Sequence, residues 1–164
     1  MVEPSSGYIE RVNGFEGVLG SCIELSRKLA GIRPPSSRHF YASVLFTSLC
    51  SRGVSLAIVA PHSKWAQRRI EHWDYASMAG MARSILEIRL AFFYLCIDEC
   101  SSEEWVCRWN LFNLHDCQSR IRLFSMQSEA RSIAGFEKQA NELRERLTSN
   151  SFFAGINLSD KKRN

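Results

Sequence analysis

WDYASMAGMARSILEIRLAFFYLCI, residues 73–97, is apolar on nearly every side when wound into a helix. After Asp74 its charged side chains are Arg83, Glu87 and Arg89. A helix hydrophobic all round belongs inside a bundle, with other helices around it. The stretch therefore predicts a central hub in which Leu86 and Phe93 are almost fully buried. It is not a membrane span. Its most apolar stretch, Ala91–Ile97, is seven residues, as is Val54–Ala60 further upstream. Arg89 and Arg52 cut them off well short of the roughly 20 residues a spanning helix needs.

On the N-terminal side, Tyr8, Val12, Phe15, Leu19, Cys22 and Leu29 recur at steps of three, four or seven, the stripe of an amphipathic helix. Gly31 and Pro34-Pro35 end it. Ser36-Ser37 caps a second helix that runs to Ala60, where Pro61 stops it. Residues 61–72 read as a polar connector. On the C-terminal side, Asp98–Ser101 is a turn, and Ser101 lies three before Glu104, a capping box that opens a fourth helix. It carries Trp105, Trp109, Phe112, Leu114, Ile121 and Phe124. A fifth, near Glu129–Ser149, has Ile133, Phe136, Ala140, Leu143 and Leu147 on one stripe. No stretch alternates with period two, so the expected fold is all-α, a bundle of about five helices forming one domain over residues 1–164. No helix is expected after Ser149. Phe152-Phe153 and the abrupt Lys161-Lys162-Arg163-Asn164 ending predict a natural chain that continues past Asn164, with an exposed apolar groove where further helices would dock.

With 164 residues, 45% of them apolar, the chain can build a real core without metal or disulfide staples. A net charge of +4 permits an acidic partner without requiring one. The start, Met1-Val2-Glu3-Pro4, lacks the basic and apolar regions of an export signal, which points to the cytoplasm and to thiols rather than disulfides at Cys22, Cys50, Cys96, Cys100, Cys107 and Cys117. Cys96, Cys100, Cys107, His115 and Cys117 are not spaced as two short zinc-ligand pairs, so no metal and no cofactor is expected.

The pattern Ala82-Arg83-Ser84-Ile85-Leu86-Glu87, with Phe93-Tyr94-Leu95 and Arg108-Trp109 after it, resembles a bacterial all-helical family of domains of unknown function. The likeness covers roughly residues 70–125. It implies a helical fold and a bacterial origin, and it brings no activity. Similar chains run on into further helices ending with a His-containing segment.

Three groups of residues are candidates for function. Arg83 and Glu87, four apart, face one side of the apolar helix and form a polar network there, structural or lining a site. Arg108 and His115 are seven apart, within about 20° of one face on a helix. That spacing, which also joins Arg33 to His39 with one residue fewer, is similar to the Arg-x(four to six)-His signature of HEPN ribonucleases. The resemblance implies a dimeric, metal-independent RNA cutter of a toxin or phage-defence system, with His115 as acid or base and Arg108 on the phosphate. Asn110, Asn113 and Asp116 would lend polar support. The connector mixes His62, Lys64, Arg68, Arg69 and His72 with Trp65 and Trp73, as nucleic-acid binders do, although solvated surface is the plainer reading. The leading expectation is an interaction module that engages a protein partner or a second copy of itself. The ribonuclease, with RNA as substrate, is the alternative.

Overall fold

Side-chain caps open most of the helices, as the sequence leads one to expect. In the computed structural model, which describes residues 4–66, 73–125 and 130–161, Ser5, Ser36, Asp74 and Ser101 accept hydrogen bonds from the amides of Tyr8, His39, Ser77 and Glu104. The helices are α1 (Ser6–Leu29), α2 (Ser37–Val59), α3 (Tyr75–Phe92), α4 (Ser102–Phe124), α5 (Ala130–Thr148) and α6 (Ser151–Lys161). A π-helical turn, Phe93–Ile97, extends α3. No strand occurs among the described residues. The fold is all-α, and its first five helices lie where the hydrophobic periodicity puts them. Gly31, at φ 80, takes the left-handed conformation that follows the end of α1.

The sixth helix corrects the expectation that none follows Ser149. Asn150 makes it: its side-chain oxygen accepts the Phe153 amide at 3.0 Å, and its side-chain nitrogen donates to the Glu103 carbonyl at 3.0 Å. Ser151 also bonds the Glu103 carboxylate. One asparagine thus starts α6 and ties it to the first turn of α4. The capping box at Ser101 forms by half, because the Glu104 carboxylate turns to Arg108 instead of its own N-terminus.

By internal contacts the chain divides into two compact units, Met1–Ile97 and Asp98–Asn164. In the first, α2 packs against both α1 and α3. Leu19 of α1 lies over Gly53 of α2, where an added Cβ would come within 2.8 Å of the Leu19 Cδ1. Phe46 of α2 meets Phe92 of α3 with centroids 6.4 Å apart, and the Arg38 Nε donates to the Cys96 carbonyl at 3.1 Å. Val12, Leu19, Cys50, Ala57, Ala60 and Leu95 form the buried apolar set. In the second unit, α4 and α5 close over Cys117, Ala140 and Leu143, with Leu114 and Ile121 beside them. Phe124 and Phe136 stack at 6.0 Å.

The glycines allow a paired stability test. Gly53→Leu overpacks the α1–α2 seam and is expected to cost about 1–3 kcal/mol. Gly14, with nothing within 4 Å of its would-be Cβ, behaves oppositely: Gly14→Ala is expected to stabilise by about 0.5–1 kcal/mol through helix propensity. Denaturant midpoints at constant m read both.

The hub expectation is corrected. Leu86 is 57% exposed and Phe93 42%, and no residue of α3 is buried before the π turn. Leu95, inside that turn, is fully buried. The physical reason is plain: α3 has two apolar faces, and α2 covers the one that carries Phe92. The other face looks outward.

Candidate functional site

The most enclosed charged group among the described residues is one that sequence spacing does not single out. Glu16 of α1 is 3% exposed, on the same face as Val12 and Leu19. Its Oε1 accepts the Ser63 hydroxyl at 2.7 Å and the Lys64 amide at 2.8 Å, and its Oε2 lies 3.5 Å from the Lys64 ammonium. Burial pushes the Glu16 carboxyl up, but the Ser63 and Lys64 hydrogen bonds and the Lys64 charge outweigh it and hold the group below its ordinary 4.5. The carboxylate thereby clamps the segment that follows α2. Tyr8 donates to the Pro61 carbonyl at 2.9 Å on one side of the clamp, and His62 next to it is held at φ 59. A cavity of about 420 Å³ opens here, lined by Asn13, Glu16, His62, Ser63 and Lys64 among others.

The chemistry of this cluster is that of an anchor. Ser63 donates to the carboxylate and accepts the Trp65 amide at 3.1 Å. A carboxylate held below its usual range is a weaker base than a free one, so it does not activate that hydroxyl as a nucleophile. Lys64 belongs to the clamp rather than to a free basic patch. His62 stands 6.2 Å from Trp73, which in turn lies 5.0 Å from Tyr8. Of the connector residues weighed for nucleic acid, Arg68, Arg69 and His72 lie outside the described residues.

Arg83 and Glu87 do pair, at 2.9 Å, but on the surface: their side chains are 82% and 62% exposed. This corrects the expectation of a pair on a buried helix, because the face they share is the one α2 leaves uncovered. An exposed pair of this spacing contributes only about 0.3–0.5 kcal/mol. Arg108 is the opposite case. Its side chain is 14% exposed, bound to Glu104 at 2.6 Å and 3.9 Å from Asp98. His115, further along α4, is exposed. Neither lines the groove of about 470 Å³ walled by Ile121, Arg122, Glu137 and Arg144. Asn113 bonds back to the Trp109 carbonyl, and Asp116 pairs with Arg120. Asn110 is 3% exposed, and its amide nitrogen is buried without a hydrogen-bond partner.

All six cysteines are free thiols. Burial pushes the thiols of Cys50, Cys96, Cys107 and Cys117 up from 9.0, which makes them poor nucleophiles and poor metal ligands at neutral pH. Among the described residues no group of three or more His, Cys, Asp or Glu is placed to hold a metal ion. Among the described residues one helix, Ser37–Val59, is long and apolar enough, by length and composition alone, to cross a membrane.

The outer face of α3 is a feature that needs an explanation. Leu86 (57% exposed), Leu90 (65%), Phe93 (42%) and Ile97 (51%) follow one another at steps of four, three and four. That is the seam spacing of a helix that pairs with another helix. Tyr94, 41% exposed, flanks it, and the Arg89 guanidinium covers one face of Phe93 at 4.9 Å. The chain matches no protein-family model, no curated protein and no solved structure.

Proposed function

We propose that the chain is a helical interaction module and that the outer face of α3 is its binding surface. The observation that supports this is the run Leu86, Leu90, Phe93, Ile97, an apolar heptad seam standing in solvent on a helix whose opposite face is already packed. Contiguous exposed apolar surface of this kind marks a place where another macromolecule binds. The free thiols suit a reducing compartment such as the cytoplasm. Hydroxyl-radical footprinting of dilute protein, below about 1 μM, tests the reading. Leu86, Leu90 and Phe93 should be oxidised in proportion to their exposure, and Leu95 should be protected. Protection of the whole stripe in a dilute monomer would overturn it.

The ribonuclease reading draws less support from the same residues. The Arg108 guanidinium is already neutralised by Glu104 and faces Asp98, so a phosphate would have to compete with carboxylates in place. We expect no cleavage of single-stranded RNA in EDTA by the protein or by its Arg108→Ala and His115→Ala variants. Cleavage by the parent that is lost in both variants would reverse this assignment.

A further inference from the structure

We infer that the occupant of the α3 seam is a second copy of this chain, paired antiparallel through α3; the inference rests on the binding surface proposed above. Two observations carry it, the shape of the stripe and its area.

The stripe is bulky at one end and small at the other. Leu86, Leu90, Phe93 and Ile97 fill its C-terminal half, while Ala79, Gly80 and Ala82, all exposed, leave the N-terminal half shallow on either side of Arg83. Two such helices paired in parallel would set bulk against bulk at one end and leave a void at the other. Paired antiparallel about a two-fold axis near Ile88, they are complementary. Leu86 of each copy meets Leu90 of the other, Ile97 meets Ala79, and Phe93 meets Arg83. The Ile97–Ala79 layer sets large against small, as close packing of facing helices requires, and the Leu86–Leu90 layers form the apolar centre. The Arg83–Phe93 layer repeats between copies the cation–π contact that Arg89 makes with Phe93 within one. Each surface serves as its own partner, as a two-fold interface demands.

The area is of the right order. A fully exposed large apolar side chain presents roughly 200 Å², so the fractions exposed at Leu86, Leu90, Phe93, Tyr94 and Ile97 leave about 500 Å² per copy. Two copies then cover about 1,000 Å², the lower bound for a specific interface, before flanking Ala79, Arg83 and Glu87 are counted. A surface of that size belongs to the reversible, transient class of interface rather than the obligate one, and its affinity is set by packing rather than by area.

Sedimentation equilibrium from about 1 to about 200 μM, with hydroxyl-radical footprinting of the same samples, tests the inference. A monomer–dimer equilibrium is expected, with Leu86, Leu90 and Phe93 becoming protected as the dimer fills. Leu90→Arg, at the middle of the seam, and Ala79→Trp, at its shallow end, should each weaken dimerisation by about tenfold or more. Both positions are exposed, so circular dichroism and melting in dilute solution should stay unchanged. A monomer at every concentration with a reactive stripe would overturn the second copy as occupant and leave the binding surface standing. A dimer whose stripe stays reactive, or that both variants leave intact, would also overturn it. A stripe protected in the dilute monomer would overturn the binding surface itself.

Discussion

Leu95→Ala should cost about 2–5 kcal/mol of stability, whereas Leu86→Ala on the same segment should cost no more than about 0.5 kcal/mol in dilute solution. The contrast follows from the two faces of α3. Leu95 is fully buried inside the π turn, so truncation removes apolar contact and leaves a cavity that its neighbours fill only in part. Leu86 is 57% exposed and has little contact to lose within one copy. Urea denaturation at protein concentrations below about 1 μM reads both, with the slope m held constant as the check that the denatured state has not changed. Equal losses in the two variants would restore α3 as the hub of the bundle.

Glu16→Ala should cost about 2–4 kcal/mol, because it strands two donors, the Ser63 hydroxyl and the Lys64 amide, beside a buried site. The same carboxylate gives the protein an acid dependence with a definite sign. Its folded value lies below the ordinary 4.5, so the unfolded chain takes up the proton first. The stabilisation is fully present above 4.5 and is lost as the pH falls through the folded value. Glu16→Gln, which cannot titrate, should flatten that part of the pH–stability curve and be less stable than the parent at neutral pH. Parallel curves for parent and Glu16→Gln between pH 3 and 6 would show that Glu16 does not carry the dependence.

Helix starts and stops were legible because the residues that set them act locally. Ser36, Ser101 and Gly31 each satisfy or release backbone groups within four residues, and each behaves as its position implies. Asn150 offered the same kind of signal for α6, three residues before Phe153. The polar ending obscured it. The burial of α3 was not legible, since periodicity reports that a face is apolar but not whether the chain supplies a cover for it. For the same reason the Arg83–Glu87 spacing forecast the pair but not its exposure. The Glu16 clamp joins residues 47 and 48 apart in sequence, and its one local hint was a carboxylate set between Val12 and Leu19 on an apolar stripe. The Arg108–His115 spacing put both on one helix. What it could not forecast was the prior claim of Glu104 on the arginine.

The aromatic rings of α4 have an optical consequence. Trp105 and Trp109 lie within 2° of parallel with centroids 6.1 Å apart, and Phe112 continues the stack at 6.2 Å from Trp109. Two indoles that close couple through their strong far-ultraviolet transition, so Asp98–Asn164 carries an exciton dichroism signal that vanishes once α4 unwinds. The other two tryptophans, Trp65 and Trp73, belong to Met1–Ile97, and Trp73 has the His62 imidazole beside it, a quencher when protonated. Each unit thus holds its own pair of chromophores with its own signature. One unlabelled sample, heated once and followed by dichroism and by emission, reports the unwinding of α4 in the last 67 residues beside the change in environment of all four tryptophans.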